Sequence, residues 1–277
     1  EQLENGEYEL AIVDYTRAIE MFPQDAEPYL DRGFAYKNMG ENDLAIADYT
    51  RSIELDPDEP VAYNRRGITH SIKGEYSLAI ADFTKAIEFD PDAAVAYNNR
   101  GFAYRNINEY DLAIADFSKV IELHPEAVVA YNSRGLTYDA KRELDLAIAD
   151  FSKAIELDPD DPVAYNNRAY AYDDKRDYDS AIADYSKAIQ LDPEDAVAFR
   201  NRGLAHRHKG DYNRAIQDYS KAIELDPDSP KAYRNRGLAY SVRAKYDLAI
   251  ADFTRVIELD PEAWGSYNSR GLAYSAL

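Results

Sequence analysis

The chain has no cysteine, which excludes disulfide staples and cysteine-ligated metal sites. Tryptophan occurs once and methionine twice, so the apolar surface rests on 24 tyrosines, 9 phenylalanines and on Ile, Leu and Ala. No stretch is long and apolar enough to span a bilayer as a helix, so membrane insertion is not expected. Basic residues are short too: 32 Lys and Arg against 52 Asp and Glu give a formal charge of −20 over 277 residues. Nucleic acid needs a basic face to neutralise its phosphates and is not an expected partner. A solvated acidic surface explains the charge, which also favours neutral or basic protein partners. There is no glycine-rich phosphate loop, and the four histidines are scattered. His206 and His208 lie two apart on one helix and point different ways, so they do not pair on a metal. Acidic turns such as Asp158-Pro159-Asp160-Asp161 lack the Gly and closing Glu of an EF-hand loop and read as helix caps. No catalytic, cofactor or metal site is expected.

What is present is one stretch used again and again. Pro125 recurs every 34 residues, as Pro23, Pro57, Pro91, Pro159, Pro193, Pro227 and Pro261. Gly101 recurs as Gly33, Gly67, Gly135, Gly203, Gly237 and Gly271, with Ala169 the exception. A strict period of this length predicts stacked supersecondary units. Tyr97, Gly101 and Tyr104 fall at i, i+4, i+7 on one face of a first helix. Leu112, Ala113, Phe117, Val120 and Ile121 form the apolar face of a second. Asn106 to Glu109 is the polar turn between them, and Pro125 stops the second helix. Acids after each such proline are expected to cap the next first helix. Neither helix buries its face alone, so each packs on its partner and on the next pair.

Tyr97-x2-Arg100-Gly101-x2-Tyr104, then Ala113-x3-Phe117, then Pro125, resembles the tetratricopeptide repeat. The resemblance covers essentially the whole chain in register. It implies an all-α, right-handed superhelical solenoid of antiparallel helix pairs. Residues 1–25 read as a second helix alone, with Gly6 in the turn. Residues 26–263 hold seven complete repeats, and residues 264–277 a first helix alone. The family's Leu column is arginine here in every copy, from Arg32 and Arg66 to Arg270. A matching aspartate column runs from Asp14 and Asp48 to Asp252. We read the two as repeated bidentate bonds, Arg100 with Asp116 and likewise elsewhere, in preference to an anion-binding ladder.

Two first-helix columns are the leading candidate site. One holds Asn64, Asn98, Asn132 and Asn166, then Arg200 and Arg234; the next holds Asn99, Asn167, Asn201 and Asn235. By the resemblance both face a concave groove. An amide donates and accepts at once, so a ladder of them can clasp peptide bonds without reading side chains. Asn has poor helix propensity, so repeating it mid-helix has a cost. The adjoining Phe102 column is apolar and is expected to pack first helices together. Family members that clamp a C-terminal carboxylate have Asn in that column and Lys in the Asn98 column; neither is found here. Lys231, Arg200 and Arg234 make one end basic, suited to an acidic segment. His70 and His206 replace the tyrosine of the Tyr104 column and read as core.

These columns predict a non-catalytic scaffold whose partner is a protein or peptide. The rival is a structural subunit that polymerises head to tail into a filament. Tyr267, Arg270, Gly271 and Tyr274 at one end would meet Leu10, Ala11, Asp14 and Tyr15 of the next copy, completing one repeat. Because Glu1 is not a methionine, the chain reads as a fragment or processed product. The compartment is left unassigned, cytoplasmic by default and extracellular not excluded.

Overall fold

A computed structural model describes the backbone from Gln2 to Leu277 and the side chains from Gly6 onward. Among the described residues there are sixteen α-helices and no strand. They fall into two units, residues 1–141 and residues 142–277. The first unit contains α1 (Gln2–Met21), α2 (Glu27–Asn38), α3 (Asn42–Leu55), α4 (Pro60–Ile72), α5 (Tyr76–Phe89), α6 (Ala94–Asn106), α7 (Tyr110–Leu123) and α8 (Val128–Ala140). The second contains α9 (Leu144–Leu157), α10 (Pro162–Asp174), α11 (Tyr178–Leu191), α12 (Ala196–His208), α13 (Tyr212–Leu225), α14 (Pro230–Val242), α15 (Tyr246–Leu259) and α16 (Trp264–Ser275). Even-numbered helices are the first helices of each repeat and odd-numbered ones the second. Within each unit every helix packs on its neighbours in sequence, and each even-numbered helix also touches the next even-numbered one.

The turns explain the antiparallel pairing. Three residues join α6 to α7, and the middle one, Asn108, has a φ of 62°. Gly40, Gly74 and Gly210 hold the same left-handed position, where a missing Cβ makes it cheap. Arg142, Arg176 and Ala244 hold it without that help. Gly6 does not: α1 runs unbroken through it from Gln2 to Met21. The turn expected there is absent: glycine permits a left-handed φ without enforcing it.

In five of the pairs the core is a ring against a glycine, and in α10–α11 Ala169 takes the glycine's place against Tyr185. A Cβ built on Gly101 would lie 2.8 Å from the Phe117 ring, and on Gly203 2.7 Å from the Tyr219 ring. Gly33, Gly67 and Gly237 meet Tyr49, Phe83 and Phe253 in the same way. Ala113, Phe117 and Val120 are buried as expected. Leu112 is not: it and its equivalents Leu44, Leu78, Leu146 and Leu248 are about half exposed. Being next to Ala113, it lies about 100° around the helix and off the seam.

The arginines hold three helices together. Arg100 Nε and Nη2 donate to Asp116 at 2.8 and 2.7 Å, and Nη1 donates to Thr84 Oγ1 of the preceding second helix at 3.1 Å. Arg32, Arg66, Arg168, Arg202 and Arg236 repeat both contacts with Asp48, Asp82, Asp184, Asp218 and Asp252. The Ser/Thr partner was not anticipated, although Thr16, Thr50, Thr84, Ser118 and their equivalents form a column of their own. Aspartates before the prolines, such as Asp90 and Asp158, accept the N–H two residues on. Side-chain caps on first helices come only from Glu59, Asp161 and Asp195. Ala26, Ala93, Ala127 and Ala263 occupy that position on four others and have no polar side chain to offer, and Ser229 on α14 makes no cap bond.

Candidate peptide-binding face

Val95, Asn98, Phe102 and Asn106 fall at i, i+3, i+7 and i+11 of α6, so they share one face. Repeating this on the other even-numbered helices draws parallel stripes across each unit. The valine stripe was missed from sequence. Val61, Val95 and Val129 in the first unit, and Val163 and Val197 in the second, are 44% to 63% exposed. A β-branched residue kept at an exposed helical position gains neither propensity nor burial, and that repeated cost was the legible signal.

Two notches separate α4 from α6 on this face. One, about 380 Å³, is lined by Val61, Asn64, Val95 and His124 among others. The other, about 280 Å³, has Ile68, Ile72, Phe83, Asn99 and Phe102 around it. Phe102 stands edge-on to Phe117 at 5.3 Å, so this column packs onto the second helix of its own repeat.

The amide ladder is partly used by the fold itself. Asn99 Nδ2 donates to Asn64 Oδ1 at 3.1 Å, tying α6 to α4. Asn166 Nδ2 donates to Asp195 Oδ2, also at 3.1 Å. Those groups are helix-to-helix bonds and not open donors. The Asn166 Oδ1 and the neighbouring Asn167 Nδ2 are buried without a partner. Asn98, Asn132 and Asn235 are half-buried on the same face. In the second unit Arg200 donates to Asn201 Oδ1 at 3.4 Å. Lys231 and Arg234 are exposed and line a groove of about 500 Å³ with Trp264, Asp260 and Glu262.

At the ends, Leu10 and Asp14 on α1 are exposed, while Ala11 and Tyr15 are half-buried. On α16, Tyr267 and Tyr274 are exposed, and a Cβ on Gly271 would meet nothing within 4 Å. Arg270 donates to Thr254 at 3.0 Å and lies over Tyr267, with no carboxylate bonded to it among the described residues.

His206 is buried, as expected for core, with Nδ1 unpartnered. Its pKa is lowered by burial, with Asp218 and Asp211 opposing and Arg202 and Arg214 reinforcing. Below its ordinary value of 6.5, the unfolded chain takes up a proton that the folded chain resists. Acid therefore destabilises the fold through His206, and the effect vanishes above that pH. Replacing His206 with the tyrosine found in most copies is expected to raise thermal stability more at pH 5 than at pH 7. Equal gains at both pH values would show that His206 titrates alike folded and unfolded.

The repeated pair, ring on glycine and closing proline define a class. The chain belongs to the tetratricopeptide repeat family, whose profile matches residues 26–59, 94–126, 128–161, 162–195 and 230–262. Related TPR profiles match residues 2–40, 72–107 and 203–241, and residues 185–217. It is thus an interaction scaffold of the kind that this family builds. Among solved structures it is similar to a tetratricopeptide repeat protein from Parabacteroides merdae, with a TM-score of 0.69, 19% identity, and coverage of 90% of this chain and 98% of that one. YrrB, described as a TPR protein with an unusual peptide-binding site, gives a TM-score of 0.55 at 26% identity over 66% of this chain and 95% of its own. The Cut9–Hcn1 hetero-tetramer of APC/C gives a TM-score of 0.65 at 19% identity, and 95% of this chain spans 52% of the matched one. No curated protein matches the chain.

Proposed function

We propose that the chain is a non-catalytic scaffold that holds an extended segment of a partner protein across its even-numbered helices. The observation that carries this reading is on α10. Asn166 Oδ1 is an acceptor and Asn167 Nδ2 a donor, adjacent, buried and unpaired. A peptide unit offers one N–H and one C=O, the complement of that pair. Leaving such groups unpaired costs roughly 1–3 kcal/mol each, which a bound backbone recovers. The exposed valines beside the ladder supply apolar contact for side chains. Packed helices lie about 8–10 Å apart and an extended chain rises about 3.3 Å per residue, so each repeat meets about three residues. The peptide-binding site described for YrrB is consistent with this use of the fold. Among the described residues no helix is long and apolar enough to cross a membrane.

Peptides selected on the chain from a random display library provide the test. The double variant Asn98→Ala/Asn167→Ala is expected to keep its helicity and lose about tenfold in affinity for them, from hydrogen bonds worth about 0.5–1.5 kcal/mol each. Unchanged affinity for every selected peptide would remove the amides from the site.

A second reading is favoured by the open Gly271. For a polypeptide of these 277 residues, α16 of one copy accepts α1 of another, with Tyr15 on Gly271 and Asp14 on Arg270. The contact is heterologous and propagates as a filament unless it closes into a ring. Its test is argued in the Discussion.

A further inference from the structure

The notch between successive first helices recurs along the array, and between α14 and α16 its lining changes character. In the first unit the α4–α6 notch of about 380 Å³ is lined by Val61, Asn64, Ala94, Val95 and Ala96 among others. The aligned residues five repeats on are Lys231, Arg234, Trp264, Gly265 and Ser266, and they line the α14–α16 notch of about 500 Å³. Two valines have become lysine and glycine, an asparagine arginine, and two alanines tryptophan and serine. Ser266 is particular to this copy, since its column is alanine from Ala62 through Ala232. It is 1% exposed, and its Oγ has no hydrogen-bond partner among the described residues. An unpaired buried hydroxyl destabilises unless something meets it. Ser52 has such a hydroxyl too, but the charged residues lining its notch are all acids, Glu27, Asp56 and Glu59.

The α14–α16 notch carries both signs of charge. Lys231 and Arg234 line it from α14, and Asp260 and Glu262 from the loop before α16. Among the described residues none of the four enters an ion pair. A Cβ built on Gly265 would meet nothing within 4 Å but Arg234 Nη2, at 3.9 Å, so a valine at this place would stand against the guanidinium. In α4, α10 and α12 the residue aligned with Gly265 donates its N–H to a capping carboxylate, of Glu59, Asp161 and Asp195. α16 has Ala263 at that cap position and no side-chain cap bond. The start of α16 therefore matches a carboxylate supplied from outside. Trp264, 81% exposed in the same notch as the two acids, offers an aromatic face of the kind a guanidinium covers.

We infer that this notch binds an acid and a base of the partner segment together, a glutamate carboxylate and an arginine guanidinium two residues apart. The inference rests on the peptide-binding reading for the extended segment that brings them. In an extended chain residues i and i+2 point the same way and lie about 6.6 Å apart, so both enter one notch. The carboxylate stands where a cap would. It takes bonds from Lys231, Arg234 and the Gly265 N–H, and from Ser266 Oγ, from which no Cβ of Gly265 separates it. The guanidinium stacks on Trp264 and meets Asp260 and Glu262. Acids alone would meet Asp260 and Glu262 as like charges, and bases alone would meet Lys231 and Arg234, so the lining discriminates for the opposed pair.

Trp264 is the chain's one tryptophan, so its fluorescence reports on this notch. The test titrates acetyl-Glu-Ala-Arg amide into the full chain, beside the same peptide with Gln for Glu and with Gln for Arg. The parent probe is expected to shift the emission and saturate, and each neutral replacement to weaken it by about tenfold, the loss of one charge-assisted contact. Lys231→Val and Gly265→Val restore the residue that most copies hold, stay helical by circular dichroism, and are expected to weaken the parent probe by about tenfold. No saturable response, or a response unchanged in both variants, would overturn the site. Equal binding of the peptide with Gln for Arg would reduce the notch to an anion site and overturn the pairing. The amide ladder fails separately. Probes that saturate while Asn98→Ala/Asn167→Ala leaves every selected peptide unaffected condemn the ladder alone, and probes that fail beside a tenfold loss in that variant condemn the notch alone.

Discussion

Replacing Arg100 with alanine is expected to lower stability by about 3 kcal/mol, and removing Asp116 as well is expected to restore part of that loss. The two side chains are largely buried and joined by two bonds of 2.7 and 2.8 Å. Burial works against the Arg100 charge, but Asp116 more than offsets it and holds the guanidinium above its ordinary value. Burial also pushes the Asp116 carboxyl up, with Arg100 opposing. A lone Asp116 would keep that desolvation and lose its partner. The alanine also vacates the space between Tyr97 and Tyr104, over whose rings the guanidinium lies at 5.5 and 5.8 Å. A double-mutant cycle by urea unfolding is the measurement. If the losses from Arg100→Ala and Asp116→Ala simply add, the pair is not a coupled unit.

The second large effect is on assembly. At the internal repeats of Gly33, Gly67, Gly101, Gly203 and Gly237, a ring seats on glycine and an aspartate takes the arginine. α16 displays the receiving half of that junction, and α1 the inserting half. At high concentration the 277-residue polypeptide is expected to sediment as a distribution of polymers. Arg270→Asp should leave monomers, by setting two carboxylates against each other. Adding Asp14→Arg to the same chain should restore polymers with the charges exchanged. Gly271→Leu should block the joint by filling the seat of Tyr15, although nothing within the chain resists a side chain there. The first turn of α1, which extends past the place of the usual turn, has to unwind for the ends to meet. A wild-type chain that stays monomeric at every concentration reached in the ultracentrifuge would end this reading.

The period made the helix pairs legible because each repeat states the same instructions: glycine where the ring must sit, proline where the helix must stop. The Arg100–Asp116 bond was legible for the same reason, two charged columns unvarying along the chain. Three things were not. Leu112 looked like core because hydrophobicity says nothing about which side of the seam a neighbour of Ala113 falls. Gly6 looked like a turn because glycine permits a left-handed φ without enforcing it, and here it sits inside a continuous helix. In the candidate site, the columns placed Asn64 and Asn99 on one face but could not show that they bond each other. Side chains 35 positions apart become neighbours only through stacking, which sequence spacing along one helix does not reveal.

Since a helix in a unit touches the next and, for even-numbered helices, the next but one, no native contact there closes a loop much longer than a single repeat. The entropy of closing a loop grows only slowly with its length, and here it is small and nearly the same everywhere. Folding then has no privileged nucleus: any adjacent pair can start, and growth proceeds outward by identical steps. The same locality sets how the array fails. A lesion in one repeat is felt by its two neighbours and fades beyond them, so damage divides the array into shorter cooperative segments and leaves the rest folded.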